Sequence, residues 1–157
     1  MPTKDQDEFF KQAYLEEDVR SSLLVKRGEI YLSLISLFLT GLVFKFSDLK
    51  GYIQGNLVSR AFYSLIIVSL FLSAIFAMLS LQIRRYRGIN LSGWIDELED
   101  DAQTDKEFYI NRIADFIALT ITHQKINNKR GRQLKLAGYF LLGAILFIGI
   151  LLLTLTI

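Results

Sequence analysis

The sequence predicts an all-α integral membrane protein with three transmembrane helices and a cytosolic helical region. Three observations carry that expectation. Apolar residues make up 52% of the 157-residue chain, and the mean hydropathy is +0.33. They are gathered into blocks, of which Ala61–Ile83 and Leu136–Ile157 hold no charged residue. Beyond Pro2 no proline interrupts the chain, and nowhere do apolar and polar residues alternate with the period of a strand.

The elements follow in order. Residues 1–27 read as a cytosolic amphipathic helix: within Asp5–Arg27, Phe9, Ala13, Val19 and Leu23 drift along one face, widened by Phe10 and Tyr14. Such a face packs on other cytosolic helices or lies on lipid headgroups. Residues 28–87 read as a two-span hairpin. Its first span, Tyr31–Phe44, is short. Counted from Ile30 it reaches about 22 Å at 1.5 Å per residue, against a hydrocarbon core about 30 Å thick. A full crossing uses Gly28–Glu29 at one interface and a snorkelling Lys45 at the other. A re-entrant or interfacial helix is the other reading. A Gly-containing connector, Lys45–Arg60, leads to the second span, Ala61–Ile83, which reaches about 34 Å and ends at Arg84, Arg85 and Arg87. A connector this short makes the two spans antiparallel.

Residues 88–133 read as a cytosolic helical region. Ser92–Asp100 predicts a short acidic helix containing Trp94, and Thr104-Asp105-Lys106-Glu107 has the form of a capping box, which starts a new helix. Tyr109, Ile113, Phe116, Ile117 and Thr120 then recur at helical spacing, and that helix runs to Gly131 or through it. The last segment, residues 134–157, carries the third span, Leu136–Ile157, about 33 Å long.

Basic residues near the span ends set the expected orientation. Lys26 and Arg27 precede the first span, and Arg84, Arg85 and Arg87 follow the second. Lys125, Lys129, Arg130, Arg132 and Lys135 precede the third. The connector holds only Lys45, Lys50 and Arg60. All three clusters place the N-terminus and the middle region in the cytoplasm, with the connector and C-terminus outside. The charged start, Met1–Gln12, does not resemble a cleaved secretory signal.

Composition narrows the chemistry. Without cysteine there is no disulfide, thiolate metal site or thiol nucleophile, and a single histidine, His123, makes no imidazole cluster. No Gly-rich phosphate loop, nucleophile elbow or credible carboxylate pair is present, so no catalytic residue, metal or cofactor is expected and the chain does not read as an enzyme. The acidic run Asp96, Glu97, Glu99, Asp100, Asp101 and Asp105 lacks the spacing of an EF-hand loop. It reads as a solvated face or as a partner for the basic stretch of a neighbouring subunit. No ionisable residue lies deep within a span, which leaves proton relays and charge-coupled transport without support.

Three features remain as functional candidates. Ser69, Ser73, Ala77 and Ser80 share one face of the second span, and Ser33, Ser36, Thr40 and Gly41 mark a related stripe on the first. Small and hydroxylated residues serve helix packing in a bilayer; in an oligomer, Ser33, Ser36, Thr40, Ser69, Ser73 and Ser80 are also the candidate pore lining. The stretch His123–Lys135 interleaves cations with Gln124, Asn127 and Asn128. Lys125, Asn127, Asn128, Lys129, Arg130 and Arg132 are the candidate ligand-binding residues, suited to the phosphates of a nucleotide or a lipid headgroup. Ordinary positive-inside anchoring is the alternative, and His123 itself reads as solvent-facing or packed. The third feature is the apolar face Tyr109, Ile113, Phe116 and Ile117, whose expected cover is the N-terminal helix of the same chain or the same helix of another protomer.

This layout, a charged N-terminal helix followed by a tight hairpin ending in Arg84-Arg85-x-Arg87 and a cytosolic helical region, resembles the SLATT-type membrane effectors of bacterial antiviral defence. The membrane effector of the Hailong system is one relative that the resemblance suggests. The hairpin Glu16–Arg87 carries most of the resemblance, and the third span departs from the simplest two-span pattern. The resemblance implies a bacterial inner-membrane protein that oligomerises, senses a nucleotide or oligonucleotide signal on the cytosolic side and opens a pore. The expected partners are therefore the lipid bilayer, further copies of the chain and that signal, with no duplex DNA. A non-conducting membrane anchor or accessory subunit of a protein complex is the alternative, and a small transporter is disfavoured by the lack of intramembrane charge and internal symmetry.

Overall fold

The computed structural model describes residues 4–82 and 105–156. These form three α-helices: α1, Lys4–Gly55; α2, Leu57–Gln82; and α3, Asp105–Thr156. No strand occurs among the described residues. All three helices are long and apolar enough to cross a membrane. The expected basic end of the second span at Arg84, the acidic helix with Trp94, the acidic run up to Asp101 and the Thr104 cap lie outside the described residues.

The main departure from expectation is the length of α1. The predicted cytosolic helix, first span and most of the predicted connector form one unbroken helix of 52 residues, about 78 Å long. The predicted connector contains Gly51 and Gly55, yet no glycine among the described residues takes a positive φ. Without proline or a left-handed residue, the helical hydrogen-bond ladder simply propagates. The turn into α2 rests on Asn56 alone. Its side-chain Oδ1 accepts the Val58 N–H at 2.9 Å, and its carbonyl accepts the Arg60 N–H at 3.0 Å. Asn56 is thus the N-cap of α2. The expected continuation of the third helix through Gly131 is found, since α3 is also unbroken over 52 residues.

The chain divides into two compact units. Unit 1 comprises residues 1–23 and 84–128, and unit 2 comprises residues 24–83 and 129–157. In unit 2 the contacts define the helix directions. Gly28 of α1 lies against Ser80 and Leu81 of α2, while Phe46 meets Tyr63 with ring centroids 5.9 Å apart, so α1 and α2 are antiparallel as predicted. Phe62 pairs with Phe147 and Phe76 stacks on Phe140 at 5.6 Å, which makes α2 and α3 antiparallel too. Ile35, Ile66, Leu70, Leu141, Ala144 and Leu151 form the buried core, with contributions from all three helices. Large apolar residues elsewhere in this unit, such as Leu37, Phe44, Phe71 and Leu146, are exposed.

In unit 1 the first part of α1 packs parallel to the first part of α3. Asp7 pairs with Arg112, Tyr14 with Phe116 and His123, and Glu17 with Asn127. The face that α1 buries here differs from the apolar one read in the sequence. Of the predicted face, Phe10, Ala13 and Tyr14 are half-buried and Phe9, Val19 and Leu23 are exposed, while Asp7, Glu17 and Ser21 turn inward beside Tyr14. Asp7 and Glu17 hold such positions because Arg112 pairs with the first and Asn127 and Arg20 with the second, which removes most of the penalty for burial. Of the predicted apolar face on α3, Phe116 is buried against Tyr14, Tyr109 and Ile113 are half-buried, and Ile117 is exposed.

Candidate functional site

The densest polar arrangement lies in unit 1, where Tyr14, Glu17 and Arg20 of α1 meet His123, Asn127 and Asn128 of α3. Asn127 is 0% exposed. Its Nδ2 donates to the Glu17 carbonyl at 2.9 Å and to Glu17 Oε2 at 2.8 Å. Arg20 pairs with the other carboxylate oxygen at 3.1 Å and donates through its second nitrogen to Asn128 Oδ1 at 2.9 Å. The carboxylate is therefore held between a guanidinium and an amide, and the network ties the two helices at this level. His123, 1% exposed, packs against the Tyr14 ring at 5.2 Å. Of the two readings left open for this histidine, the packed one is observed. The Tyr14 phenol is pushed above its ordinary value of 10.0, first by burial and then by the neighbouring Asp18 carboxylate.

Farther toward the N-terminus of both helices is a polar cleft of about 190 Å³, lined by Lys4, Asp7, Glu8, Lys11, Tyr109 and Arg112. Asp7 and Arg112 form its inner wall through a 3.1 Å ion pair, and the guanidinium also lies 5.8 Å from the Phe108 and Phe116 ring centres. The sequence contained a signal for this cleft that composition alone hides: Lys4, Asp7, Glu8 and Lys11 stand at i, i+3, i+4 and i+7 on one helix face.

The predicted ligand-binding residues separate in the structure. Asn127 and Asn128 belong to the network just described, and Arg130 is buried. Lys125, Lys129 and Arg132 are exposed and, at i, i+4 and i+7, share one face of α3. The Asn127 amide, by contrast, is committed to Glu17.

The hydroxylated residues separate likewise. Ser69, Ser73 and Ser80 are buried, and Ser73 Oγ donates across the helix contact to the Ala137 carbonyl at 2.8 Å. Ser80 Oγ donates within α2 to Ala77 at 2.7 Å. Ser33, Ser36 and Thr40 are exposed on α1, with Ser33 Oγ donating to the Glu29 carbonyl at 3.0 Å. Unit 2 also carries an apolar cleft of about 400 Å³, lined by Phe38, Leu42, Leu49, Ile148 and Leu151, with Lys45 its charged member. Among the described residues no group of three His, Cys, Asp or Glu side chains is placed to hold a metal ion.

Compared with protein-family models, with curated proteins and with solved structures, the chain finds no match. The reading of function accordingly rests on the residues themselves.

Proposed function

We propose that this chain is a membrane effector of the bacterial inner membrane. It assembles as a homo-oligomer and opens as a ligand-gated channel or membrane-disrupting pore, in antiviral defence. Its N-terminus and the 84–128 segment lie in the cytosol and its C-terminus outside. One observation carries the reading: α1 and α3 each run unbroken from the polar, network-forming residues of unit 1 into an apolar membrane-length segment of unit 2. A ligand engaging the cytosolic part would act on helices that themselves cross the bilayer.

The ligand would be a nucleotide or oligonucleotide signal. Its phosphates would meet the exposed cations Lys125, Lys129 and Arg132, which provide charge-assisted hydrogen bonds in a planar or point-charge form. Gating follows if the ligand binds one arrangement of the helices better than the other. The conducting path needs several copies, because the centre of unit 2 is filled by Ile35, Ile66, Leu70 and Leu141. Ser69, Ser73 and Ser80 are buried within one copy, which leaves Ser33, Ser36 and Thr40 as the hydroxyl face available to a shared lumen. The burial of those three α2 serines also favours a second reading, a non-conducting anchor or accessory subunit whose spans serve packing only.

Ion flux through liposomes reconstituted with the full chain separates the two. A channel releases a trapped dye or dissipates a potassium gradient when cyclic nucleotides or oligonucleotides are added. Replacing Lys125, Lys129 and Arg132 together by glutamine shifts the required concentration upward at least tenfold. Vesicles that stay tight under every signal supplied would count for the anchor.

A further inference from the structure

The apolar cleft of unit 2 is a groove between α1 and α3. Phe38, Leu42 and Leu49 of α1 and Ile148, Leu151 and Leu152 of α3 wall it, and Lys45 lines it with them. Phe38, Leu42, Lys45 and Leu49 stand at i, i+4, i+7 and i+11, so the groove follows the helix axis for about 17 Å. Gly41 leaves it open from below, since a Cβ there would meet nothing within 4 Å. The volume of about 400 Å³ is that of a small-molecule pocket. A helix of the same length and about 10 Å across fills on the order of 1,300 Å³. With unit 2 in a bilayer, Lys45 falls at the membrane boundary. Gly28 packs beside Ser80 and Leu81 in the last turn of α2. Lys45 follows about 26 Å farther along α1, against a hydrocarbon core about 30 Å thick. Next to it, Phe46 and Tyr63 make an aromatic pair of the kind found at headgroup level. Cations dominate that end of the chain: residues 45–60 hold Lys45, Lys50 and Arg60 against Asp48.

We infer that this groove holds one acyl chain of an anionic glycerophospholipid, drawn from the leaflet on the Asn56 side, with the lipid phosphate at the Lys45 ammonium. The apolar walls take the hydrocarbon, the cation takes the phosphate, and Gly41 lets the chain lie close against the helix backbone. Size and charge select this occupant. The whole helix of a second copy does not enter a groove of this volume, and a water-soluble ligand finds one cation on walls that are otherwise apolar. A zwitterionic headgroup brings its own ammonium among Lys45, Lys50 and Arg60, whereas an anionic headgroup brings none. The inference rests on the membrane-spanning part of the proposed function and needs neither conduction nor a soluble signal.

The test titrates the full chain, purified in detergent and stripped of lipid, with phosphatidylglycerol or with phosphatidylethanolamine of identical acyl chains. Native mass spectrometry reads both the bound lipid and the oligomer. Phosphatidylglycerol should bind first, at one molecule per protomer. Lys45→Gln should weaken it about fivefold, Lys45→Arg should restore it, and Lys50→Gln should cost less than Lys45→Gln. Gly41→Leu, which fills the groove, should remove that lipid while leaving the melting temperature unchanged. Equal binding of the two lipids overturns the inference. So does phosphatidylglycerol binding that survives in a folded Gly41→Leu variant, or that falls as far in Lys50→Gln as in Lys45→Gln. An oligomer that binds no lipid and comes apart on Gly41→Leu gives the groove to a second copy and overturns it too. Selective lipid binding by a chain whose vesicles stay tight keeps the groove and removes the channel; ion flux without selective binding does the reverse.

Discussion

Asn127 shows how a polar residue earns a buried position. Its amide reaches both the carbonyl and the carboxylate of Glu17, and Arg20 completes the set from the other side. Removing the amide leaves a mostly buried carboxylate with one partner fewer, which costs about 1–3 kcal/mol. Asn127→Ala should therefore lower the melting temperature of the detergent-solubilised chain, whereas Lys125→Ala, on the exposed face, should change stability by no more than about 0.5 kcal/mol. Equal losses at the two positions would contradict the separation of the basic stretch into structural and exposed members. That separation was not legible in the sequence. Both asparagines read as amides among cations, because the partner that draws Asn127 inward lies 110 residues away. The packing of His123 was hidden for the same reason, since Tyr14 is supplied by a different helix.

The helices α2 and α3 were legible at the level of elements because an uncharged block of membrane length has one economical conformation. The end of α1 was not. The connector read at Lys45–Arg60 contains Gly51 and Gly55, but neither takes a positive φ and the ladder continues to the Asn56 cap. What glycine does contribute is close approach between helices. A Cβ built on Gly28 would stand 3.0 Å from a terminal methyl of Leu81 and 3.3 Å from Ser80 Oγ, and one on Gly138 would stand 3.1 Å from the Tyr31 hydroxyl. By contrast, a Cβ on Gly41 would meet nothing within 4 Å. Gly28→Ala should be near neutral, because about 1 kcal/mol of helix propensity offsets a small displacement of Leu81. Gly28→Leu should destabilise by about 1–3 kcal/mol through overpacking, and Gly41→Leu should not. Thermal unfolding in detergent reads all three, and equal behaviour of the two leucine variants would show that α1 and α2 do not pack through Gly28.

For the whole molecule, the functional reading depends on an odd number of crossings. On the proposed reading, three spans would place residues 1–23 and 84–128 on the same side of the bilayer and the turn at Asn56 on the opposite side. The clustering of Lys and Arg supports that orientation. The parallel packing of the N-terminal parts of α1 and α3 in unit 1 agrees with it, since helices entering the membrane from one side must start together. Single cysteines probed with a membrane-impermeant thiol reagent in cells with a sealed inner membrane test this most directly. Lys50→Cys should be labelled in the intact cells, while Lys11→Cys and Lys125→Cys should be labelled only after the membrane is opened. Labelling of Lys11→Cys in intact cells, or protection of Lys50→Cys until lysis, would contradict the account.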